Sequence, residues 1–226
     1  MEVDIKHVQQ NHSYTCVVAG PTSSGKTYLV RDMLKSHKQT MGKTKKNHEQ
    51  LITIWAYGQW QPLYTEEIEN IKCTYIEGLP SEEEIDSIEP DIIVIDDLMT
   101  ELANDKKLAN LFTKGSHHKN ISVIFISQNI FQQGTQMRTV SLNCHYIILM
   151  KNPRDRAQIL RLASQIYPNR TKFFLEAYND ATKSEFGYIR IDLTQQTPEK
   201  LRLQTNIVPD ANGKFSPIAY IAKNNV

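Results

Sequence analysis

The sequence has little cysteine and no long apolar run. Its three cysteines in 226 residues, Cys16, Cys73 and Cys144, cannot build a disulfide framework and leave an odd thiol, so we expect buried thiols in a reducing compartment. The apolar runs are far shorter than the roughly 18 residues that a membrane-spanning helix needs. The acidic start is not followed by the apolar segment of a secretory signal. The sequence therefore predicts neither a membrane segment nor secretion.

A large net charge of either sign is also missing. The 26 basic and 25 acidic residues give a net charge of +1, which argues against a basic coat protein for nucleic acid and against an acidic tail. The charges are nevertheless segregated along the chain. Residues 66–105 hold 14 acidic residues and one basic residue, whereas residues 106–175 hold eleven basic residues and one acidic residue. This pattern predicts a subunit with two differently charged faces, suited to contact between copies.

The apolar runs are short, rich in β-branched residues and separated by stretches of helical length. This rhythm predicts βαβ units, and hence an α/β fold with a mainly parallel central sheet flanked by helices. The predicted strands are residues 14–19, 51–57, 73–77, 91–97, 121–127, 145–150 and 186–193. The predicted helices are residues 26–36, 80–88, 100–114, 153–166, with Pro153 in the first turn, and 171–182.

Two further segments complete this outline. Residues 35–46 contain five lysines and no acid, so they are predicted to be a helix end and an exposed loop. The residues after 193 are predicted to form hairpins and an extended end. At about 150 residues per domain, we expect one domain over residues 1–193, with residues 194–226 as an extension of the same domain.

A glycine-rich turn follows the first predicted strand and opens the first predicted helix. Its residues are Gly20, Pro21, Thr22, Ser23, Ser24, Gly25, Lys26 and Thr27. This is the phosphate-loop pattern, in which the glycines turn backbone N–H groups onto phosphate oxygens, the lysine reaches the terminal phosphates and the threonine ligates Mg²⁺. A chance glycine turn is the alternative. In this context the loop predicts a nucleoside triphosphate bound with Mg²⁺.

The most apolar predicted strand ends in two acids, Asp96 and Asp97. Such a pair places one carboxylate on the water shell of the metal and a second beside the attacking water, so Asp96 is the predicted metal residue and Asp97 the predicted base. Two acids before a helix can also be a cap. The phosphate loop about 70 residues upstream favours the catalytic interpretation. Glu101 is a lesser candidate for the base.

Gln128 directly follows the predicted strand 121–127. If that strand lies between the first strand and the Asp96 strand, the Gln128 amide faces the γ-phosphate, where it can orient the attacking water and report phosphate loss. The alternative is a strand-end amide that bonds only to backbone. Trp55 and Trp60 flank the end of the second strand, where core or edge packing is the favoured interpretation and adenine stacking the alternative.

Six segments together resemble the genome-packaging ATPases of Maverick/Polinton elements and related double-stranded DNA viruses, in the FtsK–HerA branch of P-loop motors. They are residues 20–27, 92–99, 111–120, 123–131, 143–146 and 151–155. The resemblance extends over residues 13–193, and residues 111–131 are its most specific part. One departure is Asp97, because the wider branch usually has a glutamate at this position.

The resemblance implies a P-loop NTPase of the RecA/FtsK-like type with ATP and Mg²⁺ as cofactors. It implies ATP hydrolysis coupled to the movement of double-stranded DNA into a viral capsid, by a homo-oligomeric ring with capsid proteins as partners. The location would be inside the host cell, in the nucleus or cytoplasm, or with the virion. The alternatives are a nucleoside or nucleotide kinase, another translocase or helicase role, and a nucleotide-gated scaffold without turnover.

Such motors complete their site with an arginine from the neighbouring subunit, which stabilises the charge on the transferring phosphoryl group. Arg138 is the first candidate, Arg154 and Arg156 follow, and Arg161 is the third. A solvated charge or an ion pair is the alternative for each. The candidates for contact with DNA phosphates are residues 114–119 and 35–46, for which a solvated turn is the alternative.

Overall fold

The structure is a computed structural model that describes residues 9–41, 50–98, 110–112, 119–130, 140 and 142–222. Its strands are β1 Thr15–Ala19, β2 Leu51–Tyr57, β3 Ile71–Glu77, β4 Ile92–Asp96, β5 Ser122–Ser127, β6 Tyr146–Met150, β7 Tyr188–Asp192, β8 Leu203–Thr205 and β9 Ile218–Ala219. Its helices are α1 Lys26–Lys35, α2 His37–Thr40, α3 Glu82–Ile88, α4 Arg156–Ile166 and α5 Thr171–Ala181. Short 3-10 turns occupy Pro62–Thr65 and Glu199–Leu201.

All these strands form one sheet in the order β3-β2-β4-β5-β1-β6-β7-β8-β9. The strands from β3 to β6 are parallel, and β7, β8 and β9 continue the sheet in antiparallel pairs. The predicted mainly parallel α/β fold is confirmed. The sheet order also places β5 between β4 and β1, which is the condition under which Gln128 was expected to face the phosphates.

The central strands are apolar throughout because both faces of the sheet are covered. In β4, Ile93 and Ile95 pack on the side that carries α3, α4 and α5, while Ile92 and Val94 pack on the side that carries α1. All four side chains are fully buried. Such two-sided burial is typical of parallel sheets and explains the uninterrupted apolar run that precedes Asp96. Among the described residues, no helix is long and apolar enough to cross a bilayer.

The helix predicted from Pro153 begins three residues later, so this predicted boundary is wrong. The Asn152 side-chain oxygen accepts hydrogen bonds from the backbone N–H groups of Arg154 and Asp155, at 3.1 and 3.0 Å, and fixes a turn around Pro153. Asp155 then caps α4 by accepting from the Gln158 N–H at 3.1 Å. An aspartate cap, rather than proline in the first turn, therefore sets the start of this helix.

Two other predicted segments differ from the structure, and a third lies almost entirely outside the described residues. Residues 37–40 form the short helix α2 where a loop was expected, because Thr40 is buried and its hydroxyl donates to the Met33 and Ser36 carbonyls at 3.2 Å each. Phe186, predicted to begin a strand, lies outside β7 with a φ of +56°, a left-handed conformation incompatible with a strand. The predicted helix 100–114 lies outside the described residues except for 110–112.

Candidate active site

A cleft of about 1250 Å³ lies at the carboxyl ends of β1, β4 and β5. It is lined by residues 22–27 of the phosphate loop together with Asp96, Asp97 and Gln128. The structure thus brings these side chains from three predicted strand ends into one space. Gly20 and Pro21 form the base of the loop, where their carbonyl oxygens accept hydrogen bonds from Lys26.

The two glycines of the loop are required by its geometry. A Cβ at Gly20 would lie 2.5 Å from the Met150 Cβ, too close for two carbon atoms. Gly25 has a φ of +88°, in the left-handed region, and serves as the N-cap of α1. The loop therefore needs glycine both for close approach to β6 and for the turn into the helix.

The loop is suited to an anion. No side chain of the described residues caps α1, and its first turn contains no acid, so the positive end of the helix dipole is open toward the cleft. The Ser24 hydroxyl is buried and has no hydrogen-bond partner within the described parts of the chain. Backbone N–H groups and this hydroxyl are the donors that phosphate oxygens require. The loop thus fits the triphosphate of ATP.

Lys26 lies inside the loop. Its Nζ donates to the carbonyl oxygens of Gly20 and Pro21 at 2.8 Å each, which leaves one of its three N–H donors for a phosphate oxygen. Burial lowers the pKa of the Lys26 ammonium, and the nearby charges of Asp96 and Asp97 partly offset this effect. These acids therefore help to keep the lysine charged where phosphate charge would accumulate.

Asp96 and Thr27 meet at the position expected for a metal. The Thr27 hydroxyl donates to Asp96 Oδ2 at 3.3 Å, and the Tyr64 hydroxyl donates to the same oxygen at 3.0 Å, so Oδ1 is left for a metal-bound water. Burial raises the pKa of Asp96, while these two hydrogen bonds lower it. The described residues contain no group of three or more His, Cys, Asp or Glu side chains that could hold a metal. Mg²⁺ would therefore take most of its ligands from phosphate and water, as it commonly does.

Asp97 lies in a strained turn, and its side chain is exposed to the cleft. Its φ is +54°, a left-handed conformation that turns the chain sharply after β4. Gly58, at the end of β2, permits this turn, because a Cβ there would lie 2.4 Å from the Asp97 carbonyl oxygen. The conformation places the second acid beyond the first, in the open part of the cleft. The role of Asp97 as the base stays a prediction.

The side chains of Gln128 and Asn129 lie in different surroundings, although the two residues are adjacent in the sequence. Gln128 is exposed and lines the cleft. The Asn129 side-chain oxygen accepts a hydrogen bond from Gln158 of α4 at 3.0 Å, which ties it to the helix layer. Gln128 is therefore the amide of this strand end that faces the predicted phosphate site. Its sensing role stays a prediction.

Tyr64 is a site residue that sequence reasoning missed. It lies in the Pro62–Thr65 turn, and its ring packs against Trp55 and Tyr75 with centroids 5.7 and 5.2 Å away. Arg31 of α1 holds this turn by donating to the Leu63 and Glu66 carbonyls at 3.0 Å each. No motif spacing indicates Tyr64, because its contact with Asp96 depends on β2 and β4 being neighbours.

The two tryptophans occupy different environments. Trp55 is fully buried in the core, as expected. Trp60 is 50% exposed and lines the cleft, with its ring packed edge-on against Tyr64 at a centroid distance of 5.5 Å. Trp60 thus packs at the edge of an aromatic cluster and also forms part of the cleft wall, and adenine stacking stays a prediction for it.

The other predicted site residues lie elsewhere. Arg154 is exposed at the surface before α4 and is absent from the cleft wall, and Arg156 donates to the Asn179 side chain at 3.0 Å. Lys119 forms an exposed ion pair with Asp86 at 2.6 Å, and its contact with DNA stays a prediction. The remaining predicted positions outside the described residues are Glu101, residues 114–118, Arg138 and residues 42–46.

Fold and site together define the class of P-loop NTPases. No protein-family model matches the sequence, and no curated protein matches it. Among solved structures, the chain is similar to B204, the DNA-packaging ATPase of Sulfolobus turreted icosahedral virus, with 15% identity, a TM-score of 0.54, and coverage of 83% of this chain and 96% of that one.

A second similar structure is the genome-packaging NTPase B204 of Sulfolobus turreted icosahedral virus 2 in complex with ATP-gammaS. Here the identity is 13% and the TM-score 0.54, with coverage of 81% of this chain and 94% of that one. These two structural neighbours are viral genome-packaging NTPases, as the resemblance found in the sequence predicted. At these identities, the likeness establishes the fold.

Proposed function

We propose that the protein is an ATP-hydrolysing DNA translocase that packages double-stranded DNA into a viral capsid. One observation supports ATP hydrolysis. An open phosphate loop, the Thr27–Asp96 pair and the exposed side chains of Asp97 and Gln128 all line the same cleft. These are the groups that phosphoryl transfer to water requires.

Each group has a separate role in this proposal. The loop N–H groups and Lys26 hold the phosphates, and Thr27 and Asp96 hold Mg²⁺, which when bound neutralises charge on the terminal phosphates. Asp97 accepts a proton from the attacking water, while Gln128 orients that water. An arginine of a neighbouring subunit, Arg138 or Arg154, completes the site.

The distribution of charge supports assembly into a ring. The acid-rich segment, residues 66–105, contributes the edge strand β3 and helix α3, whereas α4 carries exposed arginines. The acidic strand β3 lies on one side of β1 in the sheet. Strand β6, which precedes α4, lies on the other side. Opposite charges at separate positions along the sheet favour head-to-tail contact between copies, the heterologous interface from which rings are built.

The coupling to DNA is supported by the similar structures, which are described as a DNA-packaging ATPase and a genome-packaging NTPase. Exposed basic residues suffice for such a role, since transport along a duplex needs phosphate contacts rather than base readout. Capsid proteins as partners, and a location in the host nucleus or cytoplasm or with the virion, belong to the same proposal.

The test is the ATPase rate of assembled protein with added duplex DNA, with single-stranded DNA and without DNA, at several salt concentrations. We expect turnover that duplex DNA stimulates and that salt weakens, because phosphate contacts release counterions. No stimulation under any condition would overturn the translocase proposal. Phosphate transfer that requires a nucleoside acceptor would indicate a kinase instead.

A further inference from the structure

The nucleotide cleft extends to both sides of the phosphate loop. On one side lie Asp96, Asp97 and Gln128, which we call the acid end. On the other side lie Phe186, Tyr188 and Val208, which we call the aromatic end. The order of the sheet separates them, because β4 and β5 flank β1 on one side and β6 and β7 on the other. One bound nucleotide can therefore have its two ends in different surroundings.

The direction of the nucleotide follows from the proposed function, on which this inference rests. Thr27 and Asp96 would hold a metal ion that neutralises charge on the terminal phosphates, so we place the γ-phosphate at the acid end. The base is at the opposite end of the triphosphate chain. It must therefore lie beyond the loop on the side of β6 and β7, where the aromatic end is.

Phe186 is the prominent side chain of that end. It is 61% exposed, although phenylalanine is usually buried. Its ring lies against the phosphate loop, since a Cβ at Gly25 would be 2.9 Å from the Phe186 Cδ1. Its φ of +56° is rare for a bulky residue and is maintained only where the surrounding structure enforces it.

The turn that carries Phe186 is held by hydrogen bonds to its backbone carbonyls. The Lys151 N–H donates to the Gly187 carbonyl at 2.9 Å, and Lys151 Nζ donates to the carbonyls of Lys183 and Ser184 at 3.1 and 3.4 Å. A Cβ at Gly187 would lie 2.6 Å from the Ala181 carbonyl oxygen, so the chain is tightly packed there. Lys151 follows β6, the neighbour of β1. The backbone that carries the ring is thus held in place relative to the loop.

We propose that Phe186 is the stacking platform for the nucleobase. An exposed aromatic face held beside the phosphate loop is pre-organised for a flat π-system, and stacking of this kind adds affinity with little dependence on base identity. The loop binds the triphosphate, and the ring adds binding energy that only a ligand with a base can use. Two other exposed aromatic side chains line the cleft: Trp60, which lies toward the acid end, and Tyr28, in the first turn of α1.

The test compares two ligands, the imido analogue of ATP and inorganic tripolyphosphate, by calorimetry. Phe186→Ala should weaken binding of the ATP analogue about tenfold and leave tripolyphosphate binding unchanged. Phe186→Trp should restore the affinity for the analogue. Phe186→Asn should behave like the alanine variant, because asparagine tolerates a left-handed backbone and lacks the ring. The matched control is Leu160→Ala, which removes a 48% exposed apolar side chain of α4 outside the cleft.

The outcomes separate this inference from the proposed function. If the wild-type protein binds neither ligand, the proposed function fails and the inference fails with it. If the wild type binds both ligands with equal affinity, or if Phe186→Ala weakens both equally, the loop binds phosphates but Phe186 is no base platform. A selective loss of the ATP analogue in Trp60→Ala or in Tyr28→Ala, with Phe186→Ala unaffected, would place the base on another ring and overturn the inference.

Discussion

The two ends of the nucleotide cleft differ in how their side chains are held. At the acid end, Asp96 is 3% exposed, and one of its oxygens accepts two hydrogen bonds. At the aromatic end, Phe186 is 61% exposed and is positioned by the backbone of its turn. Polar groups must be fixed in direction to do chemistry, whereas a stacking ring needs only a flat accessible face. We therefore expect changes at the acid end to affect rate, and changes at the aromatic end to affect affinity.

Lys26→Ala should have the largest effect, because the loop serves both ends. The substitution removes the cation that contacts the terminal phosphates, and we expect ATP turnover to fall by at least about a hundredfold, together with weaker ATP binding. Phosphate release and calorimetry measure the two quantities. Lys172→Ala, at an exposed position of α5 outside the cleft, is the control and should retain both. A Lys26→Ala protein with normal turnover would contradict the assignment of the loop.

Asp97→Asn should separate rate from affinity. Asparagine keeps the size of the side chain and tolerates the left-handed backbone at this position, but it cannot accept the proton of the attacking water. We expect ATP binding close to that of the wild type and turnover lower by about 10²–10⁴-fold. Retained turnover would move the base role to Glu101, which Glu101→Gln would then test.

Much of the fold and the central part of the site could be predicted from local sequence. The phosphate loop and the apolar run before Asp96 are contiguous signals, and each is fixed by the geometry of one strand and the turn after it. Parallel strands bring their carboxyl ends to one edge of the sheet. The meeting of Thr27, Asp96 and Gln128 therefore followed once the strands were correctly identified.

Tyr64 and Phe186 could not be predicted in this way. Tyr64 is 32 residues away from Asp96 in the chain and reaches it only because β2 and β4 pair in the sheet. Phe186 fits the alternating pattern of a strand, but it has a left-handed conformation in a turn whose carbonyls on both sides bond to Lys151. Both positions are decided by tertiary contacts, which leave no periodic signal in the sequence.

Tyr64→Phe should have a smaller effect on activity, confined to the acid end. The change removes one of two hydrogen bonds to Asp96 Oδ2 and leaves the ring packing intact. We expect the Mg²⁺ concentration for half-maximal ATPase activity to rise about tenfold, since a hydrogen bond to a charged group contributes about 1.5–3 kcal/mol. Binding of the ATP analogue without metal should not change. An unaltered Mg²⁺ dependence would show that Tyr64 does not orient Asp96.

The smallest predicted effect is on the free energy of unfolding of Tyr64→Phe and its dependence on pH. Burial raises the pKa of Asp96, so ionising this carboxylate costs folding free energy, and the Tyr64 hydrogen bond offsets part of that cost. Without the bond the pKa rises further, and at neutral pH the free energy of unfolding should fall by about 1 kcal/mol.

This difference should shrink as the pH falls through the raised pKa of Asp96 in the folded protein, and it should be smallest below about 4, where Asp96 is protonated in the wild type and in the variant. Urea unfolding at pH 7 and pH 3.5 measures it. Tyr75→Phe is the control, because the Tyr75 ring stacks on Tyr64 at 5.2 Å but its hydroxyl is not bonded to Asp96. A loss of stability independent of pH in Tyr64→Phe would assign the tyrosine to packing alone, and the acid end would then be held by Thr27 without its help.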